Sequence, residues 1–329
     1  MAYREQKKKV EEKAKRLKRI FLSVFVVLLL ALFVFSWFYP PETWKYYFVS
    51  PKIEARKEKE MRVHYLDVGQ GDCILIELPD GKTMLVDGGS SGSETEKKVL
   101  RYLNALNIDT IDYLVITHKD SAHCGAIAEV VKTKTVLNAY LPAAYEDGNG
   151  VYAEAYAALS QEENCALFEV NAMVNLSQNG EIPYTLTFLY PYSTGTTFND
   201  EEGSAVFWLD YMDTSFLFMS DAPYEVEEDL LEVNILQLLD NKVRLDSTEI
   251  VMLGNHGSVV SSSMAFLQYL NLETAVISCG ENNSHGCPDD NVLDNLSTLF
   301  ADVYRTDKQG DIIITVGQDG KYAVATQNS

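Results

Sequence analysis

The sequence predicts a layered α/β domain carried behind a single apolar helix. Three observations predict it. A stretch of twenty residues near the N-terminus has no charge, the texture changes at Arg62 to short β-rich runs punctuated by Gly, Asp and Pro, and those runs alternate with segments of helical spacing. At 329 residues the chain has room for one large domain or two small ones plus extras.

Ile20 to Tyr39 (IFLSVFVVLLLALFVFSWFY) has the length that spans a hydrocarbon core as a helix, bounded by Arg19 and Pro40. Trp37, Phe38, Tyr39, Trp44, Tyr46 and Tyr47 form an aromatic belt at the far interface. A cleaved secretory signal is the alternative, but signal cores are shorter and end in small residues. Here the flank is aromatic and lacks an Ala-x-Ala site, so a retained anchor is expected. The basic arm of residues 1–19, helical from about Arg4 to Arg19, puts the N-terminus in the cytoplasm and its charges against lipid headgroups. The expectation is thus a single-pass protein of the cell membrane. Residues 40–61 form a juxtamembrane linker and residues 62–329 an extracellular domain.

Charge is unevenly spread. The chain carries a net −21, yet residues 1–19 hold nine Lys/Arg against three Glu and residues 40–61 hold five against four, which leaves −28 on residues 62–329. So acidic a domain repels a nucleic-acid backbone, and no Lys/Arg run beyond Met61 is longer than Lys97–Lys98. Binding along an extended duplex is not expected on that ground. A short nucleic acid or another phosphodiester held at a metal site is compatible with it, and no protein partner is legible. The five cysteines (Cys73, Cys124, Cys165, Cys279, Cys287) are odd in number and scattered, which argues against a disulfide framework.

Within the domain, VHYLDV (63–68), CILIEL (73–78) and TMLVDGG (83–89) read as strands, the last two joined as a hairpin through Pro79-Asp80-Gly81. Glu94 to Leu106 has helical spacing, and IDYLVITH (111–118) is a buried strand followed by a helix near Gly125–Lys132. Further strands are expected at 135–141, 184–190, 205–210, 215–220, 249–253, 274–279, 302–305 and 311–316, and helices at 151–160, 223–232, 262–270 and 289–299. Asp87, His118, Asp120, His123, Asp221 and His256 each follow an apolar run, where a sheet delivers side chains to one rim. His118 and His123 flank Asp120 in one short loop, which favours a site. Asp221 has the alternative of capping the helix after Pro223, and Ser261–Ser263 read as the cap of the next helix. His64 reads as a packed or surface residue, and Asp67 and Asp72 as groups that fix their turn through local hydrogen bonds.

The stretch LDVGQGDCILIELPDGKTMLVDGG (66–89) resembles the opening of the metallo-β-lactamase-fold domain of ComEC-type competence proteins. THKDSAHCG (117–125), FLFMSDA (216–222), GNHGSVVSSS (254–263), NNSHGCP (282–288) and VYRTDKQGDIIIT (303–315) are similar to that family's later blocks, in its order, over roughly 62–320. The resemblance implies an αββα sandwich with a metal pair, zinc or manganese, at one rim. It assigns His118 and Asp120 to one ion, His123 to the other and Asp221 as a bridge. His256 would complete a site or stabilise the developing oxyanion, and Asp87 would orient the loop from behind. Asp120, Asp221 and His256 are then the catalytic residues.

The departures fall among the ligands. Ala122 replaces the loop's second Asp, Asn255 the first His of a His-His-Gly-Ser block, Ser220 a Gly before the bridging Asp, and Cys287 the His of a Gly-His-Pro block; His285 stands two residues away. The expected cofactor is therefore a divalent metal, one ion rather than two, or none. Two functions stay open: a cell-surface metal-dependent hydrolase of phosphodiesters, nuclease-like, and an inactive relative that keeps the fold as a binding or assembly module.

Overall fold

The computed structural model describes residues 2–38, 53–143, 146, 150–172, 174–192, 201–232 and 243–328, in two compact units, Met1–Ser50 and Pro51–Ser329. In the first unit the expected arm and span are one continuous helix, α1 (Ala2–Phe38). Its section from residue 20 onward rises roughly 28 Å, the depth of a hydrocarbon core. The apolar side chains there are exposed all round, Phe21, Val27, Leu30 and Phe33 alike. Among the described residues it is the one helix long and apolar enough to cross a membrane. Tyr39, Trp44, Tyr46 and Tyr47 lie outside the described residues.

The second unit begins on β1 (Met61–Tyr65), β2 (Ile74–Glu77) and β3 (Thr83–Val86). The β2–β3 hairpin closes through the expected Pro-Asp-Gly turn, with Gly81 at φ 94° and its N–H donating to Leu78 O. Helix α2 (Ser93–Ala105) leads to β4 (Thr110–Val115). Short α3 (Ser121–Cys124) and α4 (Ile127–Thr133) lead to β5 (Thr135–Leu141), and α5 (Gly150–Ser160) to β6 (Ala166–Glu169). A second sheet follows: β7 (Thr185–Tyr190), β8 (Val206–Tyr211), β9 (Thr214–Phe218), α6 (Tyr224–Glu232), β10 (Ile250–Met252), α7 (Met264–Tyr269), β11 (Thr274–Ile277), α8 (Asp290–Thr298) and β12 (Asp302–Arg305). After α9 (Thr306–Gln309), β13 (Ile312–Val316) and β14 (Tyr322–Thr326) return to the first sheet.

The strand orders are β14-β13-β1-β2-β3-β4-β5-β6 and β12-β11-β10-β9-β8-β7. Alternate residues of each strand face opposite layers. Val63, Ile76, Met84 and Val115 of the first sheet meet Phe188, Phe207, Phe218 and Met252 of the second in a shared core. The other face of the first sheet (Leu75, Leu85, Leu114, Ala139) packs under α2, α4 and α5. That of the second (Leu217, Val251, Ala275, Ile277) packs under α6, α7 and α8. The result is the αββα sandwich expected above. Two strands lay outside those expectations: β6 (ALFE) and β14 (YAVAT) are edge strands with half-buried alternation, and their apolar runs are short. Residues 53–60, expected as linker, are packed on the domain: Ile53 lies against the α2 layer, and the Arg56 guanidinium donates to Glu60 O and Leu78 O.

Candidate metal centre

Strand order alone brings the polar residues together. β3, β4 and β5 are parallel, as are β9, β10, β11 and β12, so their C-terminal ends open onto one rim. Asp87 leaves β3, Thr117 and His118 leave β4, Ser220 and Asp221 leave β9, His256 follows β10 and Ser278 follows β11. Asp87, Ser220, Asn255 and His256 all take positive φ, between 45° and 59°. Non-glycine residues adopt that region at a cost, and its concentration here marks the turns that re-aim these side chains.

His118, His123 and His256 converge on Asp221. Its Oδ2 lies 3.5 Å from His118 Nε2 and 3.4 Å from His123 Nε2, and its Oδ1 lies 3.5 Å from His256 Nε2. All four side chains are buried. Asp87 sits behind them, accepting from Thr117 N (2.9 Å), Thr117 Oγ1 (2.7 Å) and His123 Nδ1 (2.8 Å). Ser220 Oγ in turn donates to Thr117 Oγ1 at 2.7 Å, tying the strand-end of the second sheet to the first. His256 Nδ1 donates to Ser278 O at 2.9 Å, which leaves Nε2 facing Asp221. Glu227 on α6 receives Ser262 N and Ser263 N, and Ser263 Oγ caps α7, so the loop that holds His256 is anchored at its far end.

Asp72 joins the cluster, although the sequence suggests only a turn role for it. It is 1% exposed, with Oδ1 3.4 Å from His256 Nδ1 and Oδ2 3.9 Å from His123 Nδ1. Neither N–H is available to it, since His256 donates to Ser278 O and His123 to Asp87. Its one sequence signal is an acidic residue directly before the wholly apolar CILI, too deep in the sheet to be a solvated turn.

Other expected residues stand apart. Asp120 is exposed, and its Oδ1 accepts from Ala122 N at 2.7 Å as the N-cap of α3; it belongs to none of the groups of clustered ligand atoms. Asn255 holds its turn by donating its backbone N–H to Ser220 O (2.8 Å). Cys287 is buried 4.0 Å from Asn255 O, and His285 is exposed.

Burial works against the charge on His256, but the carboxylates of Asp221 and Asp72 outweigh it and raise its pKa to about 9. Burial likewise opposes protonation of His123, and Asp221 and Asp87 hold it protonated well above the usual histidine range. Burial pushes Asp221 up, yet His123 and His256 hold it well below the ordinary carboxylate value. An ion entering this cluster therefore displaces protons from imidazolium.

The donor set fits a divalent cation. Three groups place ligand atoms within 4.8 Å of one another: His118/His123/Asp221, Asp72/Asp221/His256 and Asp72/Asp87/His123. Four atoms of these residues, Asp72 Oδ1, His118 Nε2, His123 Nε2 and Asp221 Oδ1, are buried without a hydrogen bond. Buried polar atoms are nearly always paired, and imidazole nitrogen with carboxylate oxygen suits ions such as zinc and manganese.

Comparison with known proteins agrees with this geometry. The family model of the metallo-beta-lactamase superfamily matches residues 66–281. ComE operon protein 3 of Bacillus subtilis (strain 168) is 27% identical over 282 residues, covering 80% of this chain and 34% of that protein. Competence protein ComA of Neisseria gonorrhoeae is 26% identical over 273 residues, covering 83% and 35%. Recombination protein 2 of Haemophilus influenzae (strain ATCC 51907 / DSM 11121 / KW20 / Rd) is 25% identical over 261 residues, covering 78% and 29%. The chain thus spans about a third of the length of these relatives. With the sandwich, the rim and the buried His/Asp cluster in agreement, the chain belongs to the metallo-β-lactamase superfamily.

Proposed function

We propose that the protein is a membrane-anchored, metal-dependent hydrolase of phosphodiesters, facing the outside of the cell. The observation that carries the chemistry is the set of four buried, unpartnered ligand atoms around Asp221. When bound there, a divalent ion supplies Lewis acidity and activates water at neutral pH. The chain's own work is to hold that water and the scissile group. His118, His123 and Asp221 would hold the ion, while His256 presents Nε2 to Asp221 and is held there by Ser278 O. Protonated, His256 would donate to the oxygen on which charge develops. Relatives named for competence and recombination support a nucleic-acid phosphodiester as substrate. The −28 on residues 62–329 restricts that substrate to a few nucleotides at the rim rather than a bound duplex. Helix α1 supports the anchor, and its basic N-terminal section supports an extracellular domain.

The 329-residue chain in detergent, stripped of metal and reloaded with manganese or zinc, is expected to turn over bis(p-nitrophenyl) phosphate and short oligonucleotides. Less than half an equivalent of bound metal together with no metal-stimulated turnover would sink this reading. Ala122 favours a second one, an inactive relative that serves as a binding or assembly module, because it offers no ligand where the ComEC-type loop has a carboxylate.

A further inference from the structure

The loop that follows β10 carries an apolar tip. Val259 and Val260 are 50% and 44% exposed, and Tyr224, the first residue of α6, is 36% exposed. Val259 stands three positions after His256, and Tyr224 three positions after Asp221. Tyr224 N donates to Val260 O at 2.9 Å, which holds the start of α6 against the loop tip. Single exposed hydrophobics are ordinary, as with Phe168 on β6 or Phe300 before β12. Three of them drawn together at the edge of a candidate site call for a partner.

The tip is braced from within. Ser258 N donates to Asn255 O at 2.8 Å, Ser261 N to Ser258 O at 3.2 Å, and Ser261 Oγ to Gly254 O. Behind it, Asp289 N donates to Gly257 O at 2.9 Å. Gly257, at φ 76°, passes so close to Pro288 that a Cβ there would stand 2.9 Å from the proline Cβ. Glu227, inside α6, accepts from Ser262 N and Ser263 N. The valines are therefore held out on a fixed loop, and covering them costs little ordering.

What covers them follows from charge. Residues 62–329 carry −28, so a nucleic acid gains little there from its phosphates. Its bases present uncharged faces, which pack on apolar and aromatic side chains whatever the sequence. We infer that Val259, Val260 and Tyr224 form a subsite for an unpaired nucleobase next to the phosphodiester at the rim. The inference rests on the reading of a short nucleic acid as what this rim binds. A base stacked within a duplex has no free face to offer, so the subsite selects single strands.

The test uses the metal-stripped, 329-residue chain in phosphatidylcholine nanodiscs. One ligand is a fluorescent tetrathymidylate whose methylphosphonate backbone is uncharged and resists hydrolysis; the other is the same backbone without bases. Fluorescence anisotropy is expected to show the base-bearing ligand bound roughly tenfold more tightly, within the range of stacking on a side chain. That ratio should not change between low and high salt, since no charge is involved. Val259→Ser/Val260→Ser and Tyr224→Ser are expected to lose most of the preference, and Phe300→Ser to keep it, with melting curves verifying that all three fold. A native chain that binds both ligands alike overturns the inference, as does a preference that survives in the tip variants. Tip-dependent binding of dihexanoylphosphatidylglycerol without a base preference would overturn it in favour of a lipid phosphodiester. Neither metal nor turnover enters this measurement. A protein without turnover that keeps the base preference would end the hydrolase reading and leave this one standing; turnover of bis(p-nitrophenyl) phosphate with no base preference would do the reverse.

Discussion

Two buried clusters of histidine and carboxylate lie among the described residues, and they behave in opposite ways. On the helix-facing side of β1 and β2, Arg62 Nε donates to Glu77 Oε2 at 2.7 Å, His64 Nε2 lies 2.8 Å from the same oxygen, and Tyr102 OH meets His64 Nδ1 at 2.9 Å. Burial pushes the His64 imidazolium down, so the ring is neutral, donating through one nitrogen and accepting at the other. No buried side-chain N or O of Arg62, His64, Glu77 or Tyr102 is left unpaired. At the rim the same residue types carry four unpaired atoms, and His123 and His256 are charged. Histidine and acid in a core do not by themselves mark a site. The mark is unmet hydrogen-bonding capacity, which a satisfied scaffold cluster lacks.

That contrast can be tested from its strongest consequence downward. Asp221→Ala removes the group on which three imidazoles converge, and metal-stimulated turnover should fall by roughly a thousandfold or more, about 4 kcal/mol of barrier. Steady-state kinetics checks it, and a smaller loss would take Asp221 out of the chemistry. Glu77→Ala leaves Arg62 buried without its counter-charge. Urea unfolding should register a loss of about 3 kcal/mol, with metal stoichiometry unchanged. If metal content fell as well, the two clusters would not be independent.

Thr117→Val tests the support of the rim, since Thr117 Oγ1 donates to Asp87 and accepts from Ser220. Metal affinity measured by calorimetry should weaken by roughly 10–100-fold with little change in melting of the metal-free protein. The smallest effect is at Asp210 on β8, a lone carboxylate that burial, Asp213 and Glu249 raise to about 6. The folded state holds that proton more tightly than the unfolded chain. Its stabilising effect is complete below the unfolded value near 4 and is lost as pH rises through about 6. Asp210→Asn should therefore stabilise the protein by roughly 1 kcal/mol at pH 7.5, after solvent screening, and by nothing at pH 3. Melting curves at the two pH values decide it.

How far the sequence could be read follows the same division. Strands buried on both faces, such as β2 and β4, are apolar runs that announce themselves, and the blocks from 66 to 315 carry the family resemblance. The half-exposed edge strands β6 (ALFE) and β14 (YAVAT) carry only a short run of this kind. His118, His123, Asp221 and His256 were legible because each follows an apolar strand, where the geometry of a parallel sheet leaves few alternatives. Asp120 and Asp72 were read the other way round. Both lie in short polar turns, and which acid points inward depends on the backbone around it. Asp120 accepts from Ala122 N, whereas Asp72 follows Gly71, whose close approach to Ala122 O leaves no room for a Cβ.

The sequence by itself determined the apolar helix, the layered α/β class and most of the residues delivered to the rim, because periodicity and strand-end position are local properties of the chain. Tertiary structure decided which of those residues share one point in space, and it joined Asp72 to them. Asp72 and Asp221 are 149 positions apart. Whether two such carboxylates face each other depends on how the sheets stack, and nothing in the neighbouring residues of either one records it.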